Sequence, residues 1–289
     1  MGMKIGIVGS SGYIGGYLLS HYRGKDYVGR LVSIDMDDCA EHHLNLEHPE
    51  MFDYSELDGL DYIIFTAAIS GPDACAEKFD ACWSINVTGT EYFISEAIQR
   101  QCRVLFFSSD AVFGDIPGMI YTESSETKAQ TPYGRMKKAV EDVFRHSPYF
   151  KAIRLSYVAS AEDRFVTYCK KCIQKGEVAE VFHPFYRNCI VVSDVVNVVE
   201  WMGLHWDEYQ PTVLNVAGNE LVSRIRIADE LNRIYNGRLQ YKVVQPEEKF
   251  YINRPKITQM KSNYLERYAI LKNESFTVKI QREMENIEI

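Results

Sequence analysis

The 289 residues include 46% hydrophobic and 25% charged side chains, the proportions of an ordinary globular protein with a sizeable core. The formal net charge of -8 is spread along the chain without a basic stripe, so we expect no nucleic-acid partner. The apolar runs are far shorter than the roughly 20 residues that span a bilayer, and the N-terminus enters a strand without a signal peptide, which predicts a cytoplasmic protein with no membrane partner.

The first predicted element is an apolar strand that runs into a glycine-rich turn with the spacing G-x-x-G-x-x-G, followed by an amphipathic helix. In such a unit Gly9 permits the tight turn, Gly12 lets the main chain approach a pyrophosphate, and Gly15 lets the helix pack against the strand. The pattern predicts a dinucleotide-binding turn. The residues assigned to cofactor contact are Gly9, Gly12, Tyr13, Ile14 and Gly15.

The second predicted strand ends in an acidic residue, Asp35, which lies 20 residues after Gly15. A carboxylate at this distance would accept a hydrogen bond from the adenosine ribose. Together with Asp37 and Asp38 it would repel a 2′-phosphate, so we predict NAD as the cofactor, with NADP as the less favoured choice. The alternative is that Asp35 is an ordinary loop residue.

Two buried parallel strands are predicted next, separated by a helical pattern over residues 73–99. The first strand ends in Ala67 and Ala68, whose small side chains leave room for a ribose. The second, over residues 103–110, ends in Ser109 and Asp110. Because ligands bind at the carboxyl ends of parallel strands, these residues are site candidates.

A helix over residues 132–144 follows, with Thr131 as its N-cap and Pro132 as its first residue. Tyr133 and Lys137 lie one turn apart on its inward side. The lysine would favour the phenolate and lower the pKa of Tyr133 toward neutrality, so that the phenol exchanges a proton with a substrate hydroxyl or carbonyl. Ser109 would hydrogen-bond the same substrate oxygen.

Strands and helices continue to alternate to about residue 217, which predicts an α/β fold with a doubly wound parallel sheet. We assign residues 1–160 to a dinucleotide-binding Rossmann domain. Residues 161–289 form mainly a smaller substrate-binding domain, with parts of 187–217 returning to the Rossmann sheet. The C-x-x-C pair Cys169 and Cys172 falls on a predicted helix, and we predict no metal site.

Several of these segments resemble the extended short-chain dehydrogenases/reductases, over nearly the whole chain. Besides the glycine turn and Y-x-x-x-K, the matching pieces are residues 86–90, 106–114 and 132–137. The resemblance implies a catalytic triad of Ser109, Tyr133 and Lys137, with Lys137 also contacting the nicotinamide ribose. It also implies a nucleotide-diphosphate sugar as the substrate.

Within the family, the segments favour different branches. Ala111 stands where dehydratases have Glu, and residues 109–113, Tyr157 and the Arg254-Pro255 pair resemble dTDP-4-dehydrorhamnose reductases. Residues 187–196 resemble instead the epimerase segment whose arginine contacts the phosphates. We therefore expect a reductase of a nucleotide-linked keto-sugar. The substrate contacts assigned are Asp110, Tyr157, Arg187 and Arg254; for each arginine alone, a surface ion pair is an equal alternative.

Two other functions remain open at this stage. An epimerase would keep its NAD bound and return the hydride to the same substrate. A catalytically idle, cofactor-binding regulatory subunit would share the fold, although such proteins usually lose the tyrosine or the lysine. The apolar stripes of residues 73–99 and 132–146 fit the interface of a homodimer, and packing in the core explains them equally well.

Overall fold

A seven-stranded sheet organises the first part of the fold in this computed structural model, which describes residues 2–285. Its strands are β1 Met3–Val8, β2 Val28–Asp35, β3 His42–His43, β4 Tyr62–Phe65, β5 Arg103–Ser109, β7 Phe150–Leu155 and β12 Val213–Val216. Their spatial order is β12-β7-β5-β4-β1-β2-β3. The pairings of β1 with β2 and β4, of β2 with β3 and of β4 with β5 are parallel. The prediction of a doubly wound α/β sheet is confirmed.

The helices associated with these strands are α1 Tyr13–Tyr22, α2 Pro72–Glu77, α3 Phe79–Trp83, α4 Thr90–Gln99, α5 Pro132–Phe144 and α7 Val192–Leu204. Helix α5 begins at Pro132, as predicted. The helical pattern over 73–99 is divided among α2, α3, a π-helical turn Ser84–Gly89 and α4. A Cβ on Gly89 would lie 1.9 Å from the carbonyl oxygen of Leu46, so this turn packs directly on the main chain of another segment.

The alternation of strands and helices predicts one strand over residues 151–159, and the structure divides it in two. Strand β7 ends at Leu155, and Val158–Ala159 forms a separate short strand, β8, which pairs with β11 Ile190–Val191. The chain leaves the seven-stranded sheet at Ser156, whose N–H still donates to the Val216 carbonyl. The boundary was therefore wrong by a few residues, because apolar character continues from one sheet into the next.

The chain divides into two compact units. Unit 1 holds the residues up to Gly114 together with Glu126–Arg154 and Val199–Leu214, and unit 2 holds Asp115–Ser125, Leu155–Val198 and the residues from Asn215 onward. Each unit is therefore built from three stretches of the chain. The last stretch of unit 1, Val199–Leu214, leads into β12 of the seven-stranded sheet.

Unit 2 contains small sheets, three complete α-helices among the described residues, and the first part of α7. The four-stranded sheet has the order β13-β10-β15-β6, where β6 is Ile120–Tyr121, β10 Tyr186–Arg187, β13 Val222–Ser223 and β15 Ile257–Met260. A further pair joins β9 Ala179–Phe182 to β14 Tyr241–Val244 in parallel. The helices are α6 Arg164–Lys175, α8 Arg224–Ile234 and α9 Phe276–Met284. Cys169 and Cys172 lie on α6, as predicted, and both are buried.

No helix among residues 2–285 is long and apolar enough to cross a membrane.

Candidate active site

The glycine turn between β1 and α1 lies against the end of β4. Gly9 has a φ of +85°, and a Cβ there would lie 2.6 Å from the Ala67 nitrogen. A Cβ on Gly15 would lie 1.9 Å from the Gly9 carbonyl oxygen, and the Gly12 N–H donates to that same oxygen at 3.1 Å. Neither Gly9 nor Gly15 can carry a side chain, so the turn keeps the bare main chain that a pyrophosphate requires. The structure fits a dinucleotide here.

The carboxylate of Asp35 lies beside this turn. Its Oδ2 accepts from the Ser11 N–H at 2.8 Å, and its Oδ1 accepts from the Met36 N–H at 2.7 Å. Asp37 accepts from the Cys39 N–H, and this hydrogen bond lowers the pKa of Asp37. Two carboxylates therefore follow β2, an arrangement that fits ribose hydroxyls and disfavours an added phosphate.

The loop after β4, which contains Ala67 and Ala68, is held by a residue whose role the sequence analysis did not assign. Asn86, only 1% exposed, accepts from the Ile69 N–H at 2.8 Å and donates to the Ile69 carbonyl at 2.9 Å. This pair of bonds fixes the main chain directly after the two alanines. The sequence did give a signal for this role: an asparagine within an apolar helical pattern, because a buried amide needs hydrogen-bond partners.

Ser109, Asp110 and Tyr133 are brought together where α5 begins. The Ser109 hydroxyl donates to Asp110 Oδ1 at 3.1 Å and accepts from the Ala111 N–H at 3.2 Å. A Cβ on Gly134 would lie 2.0 Å from the Ala111 carbonyl oxygen, so the first turn of α5 rests on the turn that follows β5. Asp110 is close enough for its charge to raise the pKa of Tyr133.

Tyr133 and Lys137 lie one turn apart in α5, on its buried side as predicted. Lys137 is 2% exposed, and its Nζ lies 4.5 Å from the centroid of the Phe106 ring and 5.8 Å from that of Tyr133. Burial lowers the pKa of Lys137 to about 7. The lysine is therefore only partly charged near neutral pH.

The predicted effect of this lysine on the tyrosine is wrong for the structure. Burial raises the pKa of Tyr133, and Cys75 and Asp110 raise it further. A carboxylate and a low-dielectric environment both disfavour the phenolate, and a lysine with a pKa near 7 offers too little charge to reverse them. Tyr133 is accordingly a protonated phenol at neutral pH.

A buried ion pair lies one turn further along α5. Arg154 donates to Glu141 from Nη2 at 2.6 Å and from Nε at 3.1 Å, and the Ser108 hydroxyl donates to the same carboxylate at 2.5 Å. All three residues are buried, and the Glu141 charge raises the pKa of Lys137 against the larger effect of burial. This ion pair was not predicted, although the sequence has a glutamate four residues after the lysine on the same side of the helix.

The predicted substrate residues Tyr157, Arg187 and Arg254 all belong to unit 2. The Tyr157 hydroxyl donates to Asp163 at 2.5 Å, and burial, followed by the Asp163 charge, raises the pKa of Tyr157. Its hydroxyl is thus already engaged, and its side chain packs against the hydrophobic cluster of unit 2.

Arg187 is 8% exposed and donates to the carbonyl oxygens of Tyr186 at 2.7 Å and Pro255 at 2.8 Å. Arg254 donates to the Phe250 carbonyl at 3.2 Å. The bond to Pro255 brings Arg187 to the segment that carries Arg254. Arg187 therefore lies in a buried environment, unlike the surface ion pair that was its alternative.

Among residues 2–285, no group of three or more His, Cys, Asp or Glu side chains is arranged to hold a metal ion.

The glycine turn, the Asp35 carboxylate and the Ser109, Tyr133 and Lys137 arrangement define a Rossmann-fold protein of the short-chain dehydrogenase/reductase class. Residues 5–217 match the NAD dependent epimerase/dehydratase family, and the chain belongs to this family. Its cofactor is accordingly a nicotinamide adenine dinucleotide.

Solved structures with the same fold include both reductases and epimerases. A dTDP-4-dehydrorhamnose reductase from Clostridium acetobutylicum is 20% identical with a TM-score of 0.83, over 98% of this chain and 99% of that one. A UDP-N-acetylglucosamine 4-epimerase from Methanobrevibacter ruminantium, solved with UDP-N-acetylmuramic acid, is 16% identical with a TM-score of 0.82, over 98% and 97%. MoeE5, solved with UDP-glucose and NAD, is 18% identical with a TM-score of 0.80, over 98% and 97%. At these identities the likeness establishes the fold.

Proposed function

We propose that the protein is an NAD(P)-dependent reductase of a nucleotide-linked keto-sugar. The observation that carries this proposal is the position of Tyr133, a partly buried phenol that lies one turn from the buried Lys137. Reduction of a ketone places a proton on its oxygen, whereas oxidation of an alcohol first requires a base. A tyrosine is a protonated phenol at neutral pH, so Tyr133 has a proton to give to a ketone oxygen.

The reduced cofactor, when bound, supplies the hydride. Ser109 orients the substrate carbonyl oxygen through its hydroxyl, and Tyr133 donates a proton to that oxygen. The resulting phenolate raises the pKa of Lys137, because an opposite charge now lies beside it. Lys137 then carries a full positive charge and stabilises the phenolate until the proton is replaced.

The cofactor residues support NAD over NADP. The Asp35 carboxylate, held by the Ser11 and Met36 N–H groups, would accept from the ribose hydroxyls and repel a 2′-phosphate. The assignment of dinucleotide binding to unit 1 and substrate binding to unit 2 is part of the same proposal. In unit 2, Arg187 and Arg254 would bind the diphosphate through their guanidinium groups.

A nucleotide-sugar epimerase is the second candidate. It is favoured by the 187–196 segment, whose Arg187 resembles the phosphate-binding arginine of epimerases, and it would use the same three catalytic residues. Protein that retains a stoichiometric nicotinamide through dialysis and isomerises the sugar without net NADH loss would support this candidate and contradict the reductase.

The test is stopped-flow NADH oxidation against a panel of nucleotide 4-keto-sugars, followed by the Tyr133→Phe variant on the substrate found. With the unsubstituted protein we expect stoichiometric NADH loss. The substitution should lower the rate of NADH oxidation about 10²- to 10⁴-fold, because a general acid contributes that much. Tyr92→Phe is the control, since Tyr92 is an exposed tyrosine on α4. Intact turnover in Tyr133→Phe would contradict the mechanism. Cofactor binding without turnover on any sugar would favour the idle regulatory subunit.

A further inference from the structure

Arg224, which the sequence analysis did not single out, is held within unit 2 by aromatic rings. It is the first residue of α8. Its guanidinium carbon lies 4.8 Å from the Phe185 centroid, 5.1 Å from that of Phe165, and 5.9 Å from those of Phe182 and Phe250. The rings hold the guanidinium in place through cation–π contacts and limit its freedom to rotate. Three separate segments of the chain supply these four rings.

One donor of this guanidinium has no acceptor. The Nε of Arg224 is shielded from solvent and lacks a hydrogen-bond partner within the described part of the chain. Buried donors are almost always paired, because leaving one unpaired costs its desolvation. An orphaned N–H on a charged group points to an acceptor that the chain itself does not provide.

The nearest carboxylate does not meet this need. Arg224 lowers the pKa of Asp163, although burial has the larger and opposite effect. Asp163 Oδ2 already accepts from the Tyr157 hydroxyl and from the N–H groups of Phe165 and Val166. Asp163 therefore acts as the cap of α6 and as the partner of Tyr157, and its Oδ2 accepts three hydrogen bonds from groups other than Arg224.

Arg224 shares its rings with both predicted phosphate-binding arginines. The guanidinium carbon of Arg187 lies 4.4 Å from the Phe185 centroid, and that of Arg254 lies 4.8 Å from the Phe250 centroid. The guanidinium groups of three arginines thus contact two phenylalanine rings, whose centroids lie 5.7 Å apart. An anion bound beside these rings would be attracted by all three charges.

The helix adds to the positive potential. Arg224 occupies the first turn of α8, where the macrodipole is positive and a basic side chain is unfavourable. The first turn of this helix contains no acidic residue. A bound anion would offset both the helix dipole and the cluster of guanidinium groups.

We propose that Arg224 is a third diphosphate-binding residue, which acts with Arg187 and Arg254 and makes the site select diphosphates over monophosphates. This inference rests on the proposed nucleotide-sugar substrate. Three guanidinium groups match the charge and the several oxygens of a diphosphate, and Arg224 is the one whose Nε has no acceptor among the described residues. A monophosphate has too few oxygens to engage all three groups.

The experiment is calorimetric titration of the holoenzyme with UDP, dTDP and the corresponding monophosphates. We expect Arg224→Met to weaken diphosphate binding by about ten- to a hundredfold, the loss of hydrogen bonds to a charged group, and to weaken monophosphate binding much less. Arg226→Met is the matched control, because Arg226 lies on the same helix and its guanidinium bonds to Thr277 and pairs with Glu230. NADH affinity should stay unchanged in both variants.

The possible outcomes separate this inference from the proposed function. Unchanged diphosphate binding in Arg224→Met, with loss of binding in Arg187→Met, would overturn the role of Arg224 and leave the substrate class intact. Failure of the unsubstituted holoenzyme to bind either diphosphate would overturn both. If Arg224→Met does not fold, Arg224→Lys decides: it keeps the charge without the planar fork, and unweakened binding would refute the inference.

Discussion

Replacing Lys137 by methionine tests what it costs to bury a lysine in this site. Burial lowers its pKa from the ordinary 10.5 to about 7. Between these two pH values the unfolded chain binds a proton that the folded chain does not, so stability rises with pH across this window. The destabilisation caused by burying the lysine reaches its full size below pH 7. At about 1.4 kcal/mol per pH unit, the cost is about 4–5 kcal/mol below pH 7 and about 2 kcal/mol at pH 9.

Methionine keeps the apolar stem in contact with Phe106 and removes the charge. It also removes the cation–π contact at 4.5 Å, worth up to about 2 kcal/mol. We therefore expect the substitution to raise the unfolding free energy by about 2–4 kcal/mol at pH 6. At pH 9 this gain should be smaller by about 2–3 kcal/mol. Urea unfolding of cofactor-free protein at both pH values measures the change.

The control is Lys138→Met on the same helix. Lys138 pairs with Asp142 at the surface, so its removal should change the unfolding free energy by less than about 1 kcal/mol at either pH. If the unfolding free energies of Lys137→Met and the unsubstituted protein differ by the same amount at pH 6 and pH 9, the difference does not come from burial of a titrating lysine. A destabilised Lys137→Met at pH 6 would likewise refute the reasoning.

Three further substitutions test the cofactor turn and the buried ion pair. Gly15→Ala should abolish NADH binding, measured by fluorescence titration, because its Cβ would lie 1.9 Å from a carbonyl oxygen; the neighbouring Gly16→Ala, whose Cβ has 4.0 Å of space, should bind normally and gain about 0.5–1 kcal/mol of stability. Asp35→Ser should raise NADPH affinity relative to NADH, and an unchanged ratio would contradict the role of the carboxylate. Glu141→Gln should lower the unfolding free energy by about 3–5 kcal/mol in urea, because it leaves the Arg154 charge buried without its partner; a loss below 1 kcal/mol would show that the pair is dispensable.

The elements and the central residues were predictable because their causes are local. The glycine turn needs three glycines at fixed spacing, and α5 begins at a threonine cap that accepts from the Gly134 N–H followed by proline. Helical periodicity alone then places Tyr133 and Lys137 one turn apart on one side. Nothing beyond the order of neighbouring residues is required for these features.

The electrostatics and the supporting contacts were not predictable, because they depend on distant segments. The direction of the Tyr133 pKa shift depends on burial and on the charge of Asp110, which only the fold brings near. Asn86 acts on Ile69, which is seventeen residues away. The rings around Arg224 come from three segments distant in the sequence, so no spacing rule reveals them.

The Tyr133 and Lys137 pair in unit 1 carries little charge before any reaction occurs. Tyr133 is protonated, and Lys137, with a pKa of about 7, is only partly charged at neutral pH. A lysine with a permanent charge would be costly to bury and would favour the phenolate before a substrate arrives. Under the proposed mechanism, Lys137 gains its full charge only when Tyr133 has given up its proton, because the two groups titrate as a coupled pair. The low pKa of the lysine therefore preserves the tyrosine as a proton donor, while the phenolate it leaves behind supplies the charge that completes the ion pair.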